Sequence, residues 1–139
     1  MGGARGILTV MEQRVRRFYD VVWNLWDDDA VDALLAEDFA FRGSLGTETV
    51  GRDQWRHYRD TVRAGSSDFH NDIVTLVCSG DRAAARLRYT GTHDGVLLGL
   101  TPTCRTFTYA GAAFFTADDR FLTSAWVLGD LSGLRDQLT

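Results

Sequence analysis

Between Met11 and Trp26 the apolar residues Met11, Val15, Phe18, Tyr19, Val22, Leu25 and Trp26 recur at intervals of three and four. That spacing places them on one face of a long amphipathic helix, with Trp23 at the edge of the face. Asp27, Asp28 and Asp29 follow, and an Asp here supplies the N-cap of a second, shorter helix carrying Val31, Leu34 and Leu35. Phe39 to Phe41 read as a brief strand, and the GSLGTETVG after it is rich in turn residues. Residues 53–63 (DQWRHYRDTVR) make a third helix with Trp55, Tyr58 and Val62 as its inward stripe.

Past the GSS break the pattern turns from helical to alternating. HNDIVTLVCSG, RAAARLRYTGT, RTFTYAGAAFFT and RFLTSAWVLG are β-rich segments set apart by turn signals, so four strands are expected. LSGLRDQL reads as a last helical turn or two. Helices first and strands in succession predict an α+β domain, a curved antiparallel sheet packed by three helices. Small residues such as Gly111, Ala112 and Ala113 favour strong curvature. Such a sheet closes into a cone around an apolar pocket, the natural place for a ligand.

Length limits the chain to one core. At 139 residues it is read as a flexible N-terminus over 1–10 and a single domain over 11–138. A net charge of −4 and a pI near 5.2 argue against a nucleic-acid partner, which requires clustered Lys and Arg. Arg14, Arg16 and Arg17 are read as solvated helix face. Cys78 and Cys104 are the only cysteines and lie at no metal-ligand spacing, so two free thiols in a reducing compartment and no metal site are expected. MGGARGILTVMEQ is too short in apolar residues for a signal peptide, and no run approaches the ~18 that a membrane span needs. A soluble, cytoplasmic protein with no membrane partner is the expectation.

Gly91 and His93, then Leu98, Gly99, Pro102 and Thr103, then Arg105 carry a more specific signal. In these residues, in its order of elements and in its WVLGDLSGLRDQL ending, the chain resembles the SnoaL-like polyketide cyclases of the NTF2-like superfamily over roughly residues 11 to 138. The resemblance implies a cone-shaped α+β fold, a homodimer through the outer sheet face and no cofactor. It also implies intramolecular aldol ring closure of an apolar polyketide-like substrate, with a carboxylate moving the protons beside a histidine. Aligned on Asp130 and Leu131, however, that carboxylate falls at Val127 and the histidine at Ala113. Limonene epoxide hydrolases, which share the fold, also have an acid at the position of Val127. Neither mechanism transfers intact. The pocket positions of these cyclases correspond to Trp23, Phe41 and Tyr58, which with Ala113 and Val127 describe an apolar, aromatic cavity.

Candidates for chemistry follow. Tyr58 is a neutral donor to a carbonyl, since an unperturbed phenol of pKa ~10 stays protonated. His93, in the Gly-x-His signature, either orders the loop after it or shuttles protons. Asp130 is either the N-cap of the last helix or a relocated acid. Arg86 and Arg88 alternate with Leu87 and Tyr89, so Arg88 points either into the cone, facing substrate or an acid such as Asp72, or outward. Tyr109 shares the parity of Gly111 and Ala113 and faces the interior with them. His57 lies off the apolar stripe of its helix, and His70 has no evident partner. Three functions fit: a cyclase that folds its substrate and hydrogen-bonds it, by a pericyclic or Michael-type closure; a hydrolase or isomerase using Asp72 or Asp130; or a non-catalytic binding module.

Overall fold

The computed structural model describes residues 8–139. Helix α1 (Val10–Arg17) starts at Thr9, whose side chain accepts from the Glu12 N–H at 3.1 Å. Of the N-terminal segment expected to be flexible, residues 1–7 lie outside the described residues. The helix continues as a π-helical segment, Phe18–Trp23, in which the Asn24 N–H bonds the Tyr19 carbonyl at 2.9 Å, the i→i−5 pattern. The wider turn shifts the helical phase. Trp23 therefore turns fully inward instead of lying at the edge, while Leu25, expected on the inner stripe, is exposed.

Helix α2 (Asp28–Leu34) is capped by Asp27, which accepts from the Ala30 N–H at 3.2 Å. Leu35, assigned to that helix from the pattern, opens strand β1 (Leu35–Arg42), much longer than Phe39 to Phe41. The turn-rich stretch contains the short strand β2 (Glu48–Val50), and α3 (Arg52–Gly65) follows. Strands β3 (His70–Ser79), β4 (Arg82–Thr92), β5 (Thr106–Ala117) and β6 (Leu122–Gly129) lead to α4 (Leu131–Leu138).

The six strands form one sheet in the order β2-β1-β6-β5-β4-β3. Every pairing is antiparallel except β1 with β6, so the expected antiparallel sheet is mixed at one step. Hairpin turns fix antiparallel partners. No turn joins β1 to β6, and the long excursion between them lets the two run the same way. Its inner face carries Ala85, Leu87, Tyr89, Tyr109, Ala113, Phe115 and Val127, all buried. Alternate residues Arg86, Arg88, Phe114, Trp126 and Leu128 face out and are exposed. Aromatic edges lock the helices onto the inner face: Trp55 of α3 lies 5.8 Å from Phe18 and 5.3 Å from Trp23, and Phe18 lies 5.7 Å from Phe115. None of the described helices is long and apolar enough to cross a membrane.

Candidate active site

The interior of the cone is almost filled. Side chains from six elements and one turn leave a cavity of about 10 Å³, lined by Phe18, Tyr19 and Trp23 of the π segment, Phe41 of β1, Ser44 of the turn after it, Tyr58 and Val62 of α3, Phe69 just before β3 and Asn71 within it, Tyr89 of β4 and Val127 of β6. That is room for about one water. Outside lies a groove of about 580 Å³ between α3 and the β1–β2 turn, lined by Leu45, Thr47, Glu48, Thr49, Asp53, Gln54, His57, Tyr58 and Thr61. Tyr58 is the one residue on both walls.

Two backbone devices shape the cavity. The π segment turns Tyr19 and Trp23 inward together with Phe18 and Val22, which a regular helix could not do as fully. Asn24, just past it, grips Asn71: its Oδ1 accepts from the Asn71 backbone N–H at 2.9 Å and from Asn71 Nδ2 at 3.2 Å, while its Nδ2 donates to the Asn71 carbonyl at 2.9 Å. The end of the first helix is thereby tied to β3.

Among the described residues, no carboxylate, imidazole or guanidinium lines the interior cavity. The ionisable groups there are phenols, and burial pushes the hydroxyls of Tyr19, Tyr58 and Tyr89 above the usual tyrosine value, with neighbouring phenols adding to the effect at Tyr19 and Tyr89. Burial does the same to Tyr109. All four are neutral donors rather than bases. Tyr109 shares a hydrogen bond with Ser44 Oγ at 2.9 Å, and the Tyr58 oxygen accepts from the Leu45 N–H at 3.4 Å.

Trp23, Phe41, Tyr58 and Val127 thus line one cavity. Tyr109 reaches the cavity's edge through Ser44, and Ala113 faces inward behind the lining, fully buried.

Three other candidates lie elsewhere. Asp130 accepts from the Gly133 N–H at 3.0 Å as the N-cap of α4, and its exposed carboxylate borders a groove on the outer sheet face with Val74, Arg86 and Arg88. Arg88 projects from that outer face too, with Asp72 at 3.9 Å as the partner its strand register supplies; both are solvated. His93 is fully buried but spent on its own loop. The Leu100 carbonyl, which can only accept, lies 3.1 Å from Nε2, and the Thr103 N–H, which can only donate, lies 3.2 Å from Nδ1. Both ring nitrogens are committed, so no proton or lone pair is free for a substrate. His70 does have a partner, Asp72 at 3.2 Å.

The lining residues that the sequence alone did not single out for the site are Phe18, Tyr19, Ser44, Val62, Phe69, Asn71 and Tyr89. Signals existed for four. Phe18 and Tyr19 sit on the first helix's apolar stripe, Val62 sits on that of α3, and Tyr89 shares the parity of Ala85 and Leu87. No group of three or more His, Cys, Asp or Glu among the described residues is placed to hold a metal ion.

The SnoaL-like polyketide cyclase family model matches residues 13–138. No protein of curated function matches the chain significantly. Among solved structures, a SnoaL-like protein from Jannaschia sp. CCS1 is similar with a TM-score of 0.83 at 19% identity, covering 95% of this chain and 96% of that one. IdmH from Streptomyces antibioticus gives 0.82 at 22% identity, covering 94% and 99%. TsrD from Streptomyces laurentii gives 0.82 at 24% identity, covering 95% and 98%. At these identities the likeness is one of fold.

Proposed function

The chain belongs to the SnoaL-like polyketide cyclase family, and from that premise we propose that it closes a ring in an extended apolar intermediate, without a cofactor and without an Asp/His proton-transfer pair. One observation carries this reading: the cone interior is lined by aromatic walls and neutral hydroxyls, with no acid or base that titrates near neutrality among the described residues. An aldol closure begins by removing a proton from carbon and needs such a base. A pericyclic closure moves electrons only within the substrate. A Michael-type closure by an enol or hydroxyl of the substrate needs no protein base where that group's own proton passes within the substrate to the acceptor, whose carbonyl oxygen gains charge that a phenol such as Tyr58 stabilises by hydrogen bonding. Holding the chain in a reactive fold supplies the rest, an effect that reaches several kcal/mol in oriented systems. The substrate body enters from the groove beside α3 and displaces Tyr58 from the wall it shares with the interior.

The test is a tryptophan-fluorescence titration with polyenes and fused aromatics, read through Trp23, followed by ring-closure assays on the class that binds. Saturable binding lost in Val127→Arg, with a closure rate flat from pH 5.5 to 8.5, is the expected outcome. A rate controlled by a single carboxylate would overturn it in favour of a relocated acid.

A second reading, a binding or assembly module without turnover, is supported by how nearly full the interior is. It predicts binding without product, or no ligand at all. For the outer sheet face, where Phe114 and Trp126 sit 6.1 Å apart and Arg42 lies 4.9 Å over the Trp126 ring, we propose a second copy of the chain as partner. A Trp126→Glu variant that stays dimeric by light scattering would rule out that face.

A further inference from the structure

We infer that Tyr19 and Tyr89 form a paired donor site for a ketone oxygen of the ligand, a deepening of the cyclase reading that rests on the cone being the binding site. The four inward tyrosines divide two and two. Tyr58 and Tyr109 have partners in the Ser44–Leu45 turn. The hydroxyls of Tyr19 and Tyr89 are buried and have no hydrogen-bond partner, although both side chains line the interior cavity. A buried hydroxyl without a partner is uncommon and marks either a filled-in water or a group awaiting a ligand.

The rings are held rigidly. Tyr89 stacks on Phe69 at 5.8 Å and packs against Tyr109 at 4.7 Å, while Tyr19 meets Phe18 at 5.1 Å and Phe115 at 6.0 Å, each edge to face. Gly111 keeps the room for one of them, because a Cβ there would stand 2.7 Å from the Tyr89 oxygen. The cavity of about 10 Å³ between these walls is the size of one oxygen atom with its contacts, not of a ring.

The chemistry of the lining selects the ligand group. Two phenols can donate to the two lone pairs of a carbonyl oxygen. No cation lines the cavity to balance a full negative charge, so a neutral ketone, whose oxygen gains only partial charge as the ring closes, is the group that fits. Burial keeps both phenols protonated and therefore able to donate.

The experiment compares 1-tetralone with tetralin, the same bicyclic frame without the carbonyl, in the full chain and in Tyr19→Phe, Tyr89→Phe and the double variant. Removing a hydroxyl that has no partner leaves no broken bond, so the variants are expected to melt no lower than the parent. The parent binds the ketone more tightly than the hydrocarbon, by about fivefold for each hydrogen bond gained. Each single variant loses about that factor, and the double variant binds the two probes equally. The carbonyl stretch of bound tetralone, read by difference infrared, moves to higher wavenumber in each variant, a change that packing alone does not produce.

A ketone preference unchanged in the double variant, with Val127→Arg still abolishing binding of both probes, overturns the donor pair and leaves the cone as the site. Failure of both probes to bind the parent overturns the cone reading, and the pair with it.

Discussion

The hydroxyl of Tyr58 occupies the space that a side chain on Gly43 would need, so α3 and the turn after β1 close on each other only because residue 43 lacks a Cβ. The Leu45 N–H, two residues further along the same turn, bonds that hydroxyl. The partition between groove and interior is therefore a contact between one turn and one ring.

Gly43→Ala is expected to push Tyr58 off its seat and join the groove to the cavity. Overpacking of this kind costs about 1–3 kcal/mol. Calorimetry should show a lowered Tm, while stopped-flow fluorescence should show faster entry of an apolar ligand. A variant with unchanged melting and entry rate would mean Tyr58 is no partition.

His93→Ala removes one of the two partners of the Leu100 carbonyl, which keeps the Leu97 N–H, and the imidazole that accepts from the Thr103 N–H in the exposed loop. A loss of roughly 2–4 kcal/mol is expected, chiefly from the volume that the buried ring vacates and secondarily from the lost hydrogen bonds. Hydrogen exchange should quicken at Thr103 and at the Leu97–Leu100 bridge, leaving binding of an apolar ligand in the cone intact. Lost binding in a folded variant would return His93 to the site.

Asp130 serves α4, whose Leu134 and Leu138 are buried. Asp130→Ala should cost about 1 kcal/mol in urea denaturation and Asp130→Asn much less, because Asn caps nearly as well. A carboxylate acting as an acid gives a different result: both variants would lose ring closure equally.

Acid stability follows from the α2–α3 contact. Hydrogen bonds from Arg59 and then Arg56, each 2.8 Å from Asp28 Oδ1, hold the Asp28 carboxyl below the ordinary aspartate value. A depressed folded-state pKa contributes stability that is complete above the unfolded pKa of ~3.9 and disappears as pH falls through the folded value. Solvent screens the pair, so the contribution stays within about 1 kcal/mol. Asp28→Asn should be slightly less stable than the parent at pH 7 and equal to it near pH 2. A gap that persists at low pH would assign the effect to packing.

Much of this architecture is legible along the chain, because its elements rest on local pattern. Val15, Phe18 and Val22 announce a helix, and the strands β3 to β6 stand between clear turn signals within a residue or two of their observed ends. Non-local facts are not legible. The parallel pairing of β1 with β6 depends on where a long excursion returns, and β2 is too short to outweigh its turn-like composition. The π segment has no signature at 3.6 residues per turn, so the apolar pattern points Leu25 inward and leaves Trp23 at the edge. In the site, Trp23, Phe41, Tyr58 and Val127 could be placed by resemblance and Tyr109 by strand parity. Asp130, His93 and Arg88 are chemically suggestive residue types whose actual duties, capping, loop clamping and a solvated ion pair, are set by neighbours distant in the chain. Tyr19 and Tyr89 pass for ordinary core until their hydroxyls are seen to lack partners.

An interior closed to about one water has a kinetic corollary. If occupancy requires Tyr58 to swing aside first, a ligand meets a competent protein only for the fraction of time it stands open, and the observed dissociation constant exceeds the intrinsic one by the reciprocal of that fraction. Association would then stop accelerating at high ligand concentration and level off at the opening rate. Turnover in such a protein is timed by a tyrosine's excursions, however fast the bond-forming step itself.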